Sequence, residues 1–359
     1  MTRLATSATF AGLLAAAWHF TSTGPGALNA QTGGGATSGE GKYKFRVLYT
    51  STHLPAEAQK VLKAAHGGFA IDNRKGKGDV YFALPGAGII QISGDLKTTK
   101  MINTPDEMKG TNMHNALFWQ TKDGKPYLTF PGNSVNRVFT TDMDGKLVNV
   151  LTPPTETTDL GMTLANDYFK AKGPFIPTDV AQLNGLFYIT TGYSKLDAVL
   201  TAKITPSAMG IDTAWNALAF GGRGTGPGQL GTGHGITIAP GNKRIDVADR
   251  ANAEIDRYDV HGKYLSTVNT PKGSLPCDIQ YLDKKRAIIG ALDGPDRTKG
   301  APIYILENDK IVSTVMPKTD LGLANFTHIH NAIIREIKGK LYIIAQAWNP
   351  GDFAILEQI

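Results

Sequence analysis

One unit recurs six times along this chain, at a spacing of roughly 40 to 50 residues. Repetition at that period restricts the fold severely, because each unit can bury its apolar face only against the next copy. The clearest copy reads His234-Gly-Ile-Thr-Ile-Ala, a Pro-Gly-Asn-Lys turn, Arg244-Ile-Asp-Val-Ala-Asp-Arg, Ile255-Asp-Arg-Tyr-Asp, then Gly262-Lys-Tyr-Leu. Runs of β-branched and aromatic residues separated by Gly, Asn, Asp and Pro are short strands and tight turns, four to a copy. Further copies begin at Gly67, His114, Thr178, Cys277 and His330. Helical periodicity is confined to Pro55 to Ala65. Radial repetition of four-stranded sheets is how such a chain disposes of its edge strands. The expectation is an all-β, six-bladed β-propeller with NHL-like repeats over residues 43–359, in which Tyr43 to Tyr49 completes the last blade.

The repeat overrides the two domains that 359 residues suggest by length alone. It also accounts for 41 Gly and 19 Pro, which punctuate the turns. With 41% hydrophobic and 19% charged residues the chain is not intrinsically disordered. The net charge of +6 is spread thinly, without the basic stripe and interleaved aromatics of a nucleic-acid binder. A single cysteine, Cys277, excludes a disulfide framework and a zinc ribbon. Arg3, the apolar run Phe10 to Phe20 and the small residues ending at Ala30 read as a signal peptide over residues 1–30. Residues 31–42 read as a flexible leader, and the expected location is periplasmic or extracellular. No later run is long enough to span a membrane.

Aligning the units puts one slot at the mouth of each innermost strand: Gly67, His114, Thr178, His234, Cys277 and His330. Histidine takes alternate blades, so a six-bladed ring brings three imidazoles together about a pseudo-threefold axis. Three neutral imidazoles with an open fourth position are what catalytic zinc uses. His328, two residues before the last slot, is either a fourth imidazole or a rim residue; a fourth would also suit copper or iron. His66, one residue from a slot, reads as rim or core. Cys277 is a neighbour of the metal or a small buried filler. The second strand of each blade returns to the slot end, which brings Tyr193 and Arg250 there. A tyrosinate near a cation can act as a base, and an arginine can hold a carboxylate. Asp249-Arg250 also fits a blade-to-blade ion pair.

His114-Asn-Ala-Leu, Pro177-Thr-Asp-Val-Ala, Gly192-Tyr193-Ser, Pro227-Gly-Gln with His234, Val247-Ala-Asp-Arg250 and His330 follow an order that resembles the peptidylamidoglycolate lyases. That resemblance implies zinc on His114, His234 and His330, Tyr193 as base with Arg250 beside it, and cleavage of a peptidyl-α-hydroxyglycine into an amide and glyoxylate. It implies a small-molecule or peptide substrate. It also implies a structural calcium, although Asn331 stands where the family has an acidic ligand. Leu84-Pro85-Gly86 stands where the family has a substrate-binding arginine.

Overall fold

The structure, a computed structural model, describes residues 35–208 and 210–359. It is a six-bladed β-propeller, each blade an antiparallel four-stranded sheet. The innermost strands are Ala70–Ile71, Leu117–Gln120, Asp179–Leu183, Gly233–Ile238, Pro276–Tyr281 and His328–Ile337. Six apolar clusters hold the ring, one at each junction between neighbouring blades. Val80, Phe82, Ile333 and Ile344 meet between blades six and one, and Ala248, Ile255, Ile279 and Ile289 between blades four and five. Every blade is therefore buried on both faces, which explains strands such as Ile303-Tyr-Ile-Leu that show no polar alternation.

Phe45–Thr50 pairs with Asp352–Gln358, from Phe45 opposite Gln358 to Thr50 opposite Ala354, and completes blade six. The proposed signal peptide, residues 1–30, lies outside the described residues. The free leader expected over 31–42 does not describe its second half. Ser38 Oγ donates to Asp320 at 2.7 Å, and Glu40 accepts from the Thr314 amide at 2.6 Å, so this segment is docked on blade five. The helical stretch after Pro55 is a short helix at Ala56–Lys60 followed by a 3-10 turn at Leu62–Ala64. A helix at Thr163–Lys170, unexpected from the sequence, packs Ala165 and Phe169 into the junction of blades two and three. Among the described residues no helix is long and apolar enough to cross a membrane.

Candidate metal centre

The slots converge on the channel axis. Ring centroids of His114, His234 and His330 lie 4.5 to 5.0 Å apart pairwise, and all three residues are buried. Each imidazole is oriented by the backbone of the next slot. His114 Nδ1 donates to the Thr178 carbonyl at 2.7 Å, His234 Nδ1 to that of Cys277 at 2.7 Å, and His330 Nδ1 to that of Gly67 at 2.9 Å. The non-histidine slots thus hold the histidine slots through main-chain oxygens. A carbonyl can only accept, so the proton stays on Nδ1 and each Nε2 turns a lone pair to the axis. Burial is the main cause that keeps all three imidazoles neutral, well below the ordinary histidine pKa.

Those lone pairs lack donors. His330 Nε2 stands 3.1 Å from His114 Nε2, two acceptors face to face. Tyr193 Oη lies 3.0 Å from His114 Nε2 and 3.0 Å from His234 Nε2, and its one proton serves only one of them. Neutral imidazoles fixed through Nδ1 on outer carbonyls have the donor chemistry to hold a metal ion, and His114 and His330 belong to a group whose donor atoms are close enough to share one.

Tyr193 reaches the axis through a turn after the strand Leu186–Thr190. The preceding Gly192 presses on blade four: a Cβ there would lie 2.4 Å from the Gly233 carbonyl oxygen, so a side chain would push the turn outward. Arg250 follows the strand Arg244–Asp249, and its amide donates to the Thr232 carbonyl at 3.1 Å. Its Nη1 donates to Tyr193 Oη at 3.2 Å and its Nη2 to Cys277 Sγ at 3.3 Å. Among the described residues these are its only side-chain partners, and its buried Nε has none. Asp249 is not its ion-pair partner; that carboxylate accepts from the Gly231 amide at 2.7 Å and from Asn252 at 2.6 Å. Arg250 is 9% exposed and has no carboxylate beside it among the described residues, which leaves its charge available to an anionic group. Burial raises the Tyr193 phenol above its ordinary pKa, and the Arg250 charge opposes the rise.

His328 is not in this group. Its Nδ1 is 2.9 Å from Asp293 Oδ1, and its ring lies against Trp348. The fourth imidazole at the axis is His66, whose ring stands edge-on to His114 at 4.7 Å and to His330 at 4.4 Å. Donor atoms of His66, His114 and His330 all fall within 4.8 Å of one another. Burial first, then the Arg250 charge, lowers its pKa to about 4. His66 lies next to the slot glycine, and that offset by one residue was the only sign of it in the sequence. Cys277 does two jobs the sequence did not reveal: its carbonyl orients His234 and its sulfur receives Arg250.

No protein-family model matches the chain, and no curated protein matches it. Among solved structures, a streptogramin B lyase is similar at 15% identity and a TM-score of 0.48, over 83% of this chain and 95% of that one. Virginiamycin B lyase from Staphylococcus aureus is similar at 16% identity and 0.44, over 81% and 94%. The Dos1 propeller is similar at 11% and 0.42, over 80% and 66%. Likenesses this remote carry nothing about the site.

Proposed function

We propose that the protein is an exported, metal-dependent lyase acting on a small α-hydroxylated substrate that bears a carboxylate. The observation that carries this reading is the unpaired Arg250 guanidinium beside Tyr193 and three lone-pair-bearing imidazoles. His114, His234 and His330 would hold zinc, which when bound polarises a hydroxyl and lowers the proton affinity of groups around it.

The chain's own residues supply the rest. Arg250 receives the substrate carboxylate through its guanidinium charge, which fixes the α-carbon relative to Tyr193. Tyr193, as phenolate, takes the hydroxyl proton. The electron pair so released forms the C=O bond, the bond from that carbon to the leaving heteroatom breaks, and the leaving group takes up the proton that Tyr193 received, which restores the phenolate. Arg250 favours the phenolate electrostatically, against the burial that opposes it. The resemblance to the peptidylamidoglycolate lyases supports a peptidyl-α-hydroxyglycine as substrate and glyoxylate as product.

The test is metal analysis of the purified protein followed by a glyoxylate assay on an α-hydroxyglycine peptide. Stoichiometric zinc and glyoxylate release are expected, and both are lost in His114→Ala, His234→Ala and His330→Ala. A folded wild type without stoichiometric metal sinks the reading. One observation favours a second reading: His66 adds an imidazole to the group, and four imidazoles suit copper or iron in a redox site. Copper or iron in the isolated protein, without glyoxylate release, would decide for it.

A further inference from the structure

Acids gather at two places in this fold. In the channel, one residue further along each innermost strand than the slots, Asp179 and Asp278 share a polar layer with Asn115 and Asn331, and Gly68 and Gly235 take the two remaining places. Backbone amides donate to both acids there, and Asn331 donates to Asp278. The second gathering lies outside the channel, on blade four.

The strand Arg244–Asp249 pairs with Glu254–Asp259, which sets Asp249 opposite Glu254 and Val247 opposite Asp256. Alternation along the two strands puts all three acids on the face whose Val247 packs against blade three. An oxygen from each of Asp249, Glu254 and Asp256 lies within 4.8 Å of the other two. Asp249 is buried and accepts from the Gly231 amide at 2.7 Å and from Asn252 at 2.6 Å. Asp256 is 1% exposed. Thr267, on the outer neighbouring strand, donates to its Oδ1 at 2.5 Å, and its buried Oδ2 has no partner. No cation of the chain answers this cluster among the described residues: Arg244 pairs with Asp246, Arg257 with Asp246 and Asp309, and Arg250 turns to Tyr193 and Cys277. Burial raises all three carboxyl pKa values, and the Asp256 charge adds to the rise at Asp249 and Glu254. A buried carboxylate oxygen without a donor, beside two further carboxylates, is costly unless a cation satisfies it.

We infer that a calcium ion binds between Asp249, Glu254 and Asp256. The donor set is all oxygen, which suits a hard cation and not the softer metals of imidazole sites. Calcium–oxygen distances of about 2.3 to 2.6 Å let two ligands of one ion stand up to about 5 Å apart, the spread these oxygens show. Calcium also accepts irregular coordination by carboxylates of unequal length, where magnesium demands a near-ideal octahedron. Asp249 directly precedes Arg250 and holds Gly231, which lies on the approach to His234. The ion therefore braces the turn that presents Arg250 to Tyr193.

The test is equilibrium dialysis of the full-length protein against radioactive calcium chloride. Wild type is expected to bind calcium at this site, and Glu254→Gln and Asp256→Asn should each weaken that binding at least tenfold. Glu254 is half-buried, so its amide variant keeps the fold where Asp256→Asn does not, and circular dichroism checks both. Asp278→Asn, in the channel, and His114→Ala should keep the calcium, so this inference and the metal reading fail separately. A tenfold excess of magnesium should leave it bound. Wild type that binds no calcium, or a folded Glu254→Gln that binds as much as wild type, overturns the inference. So does calcium lost in Asp278→Asn and kept in Glu254→Gln, or displaced by magnesium at equal concentration.

Discussion

The two polar layers of the channel are adjacent in sequence and opposite in chemistry. One turns nitrogen lone pairs to the axis, with His114, His234 and His330 in alternate blades. The next turns carboxyl and amide oxygens there. Consecutive residues of a regular strand point to opposite faces. In blades four, five and six the ladder is bulged at this point, between Gly233 and Ile236, Pro276 and Asp278, and Ile329 and Asn331. A bulge sets two residues against one partner and re-aims a side chain, so both layers can face the channel. Their symmetries differ too. Histidine recurs every second blade, a threefold pattern, whereas glycine recurs at blades one and four and Asn/Asp pairs fill the rest, a twofold pattern. Six blades admit both, and the same repeated backbone can serve two chemistries.

The sharpest way to break this contrast is to remove one layer and assay the other. His114→Ala should abolish stoichiometric metal and reduce turnover to background, while Asp278→Asn keeps its metal content by mass spectrometry. Metal loss in Asp278→Asn would merge the two layers into one site. Tyr193→Phe should lower kcat by about 10² to 10⁴-fold, the share usual for a general base, with metal retained. Arg250→Met should cost about 10 to 100-fold, mainly in KM, because a charge-assisted contact to substrate is lost. An unchanged KM would remove Arg250 from substrate binding.

Gly235→Ala tests how the layers are joined. The added methyl meets the Cys277 carbonyl, which orients His234, at 2.5 Å and Asp278 at 2.7 Å. Thermal or urea unfolding should show a loss of about 1 to 3 kcal/mol. The smallest effect lies in pH. The folded state holds the Asp278 carboxyl above its unfolded pKa of 3.8, so it binds more protons than the unfolded state. Stability from this group is therefore greatest at low pH and falls as pH rises from about 4 to 6. The slope is at most about 1.4 kcal/mol per pH unit for one carboxyl, and Asp278→Asn should flatten it. A steeper dependence in the variant would contradict the assignment.

The fold was legible because a repeat reports itself: turn residues and strand runs recur in register, and the first strand that closes the last blade could be placed by count. The helix at Thr163–Lys170 was hidden because it lies in a connection between blades, where nothing repeats. At the site, the slot alignment picked out His114, His234 and His330, and strand direction picked out Tyr193 and Arg250. His66 escaped because it precedes its slot by one residue, and alignment by slot discards such neighbours. The carbonyl clamps escaped for a deeper reason. Thr178, Cys277 and Gly67 act through main-chain oxygens, and no side-chain identity marks an oxygen that every residue carries.

The clasp that completes blade six ties the closure of the ring to a single long-range pairing. Phe45 faces Gln358 across the sheet, so the first strand among the described residues pairs with the last. The ring shuts only where the strands Phe45–Thr50 and Asp352–Gln358 meet, and the same blade carries His330 to His114. One strand pairing across more than 300 residues of sequence therefore closes the blade that brings the third slot histidine to the other two.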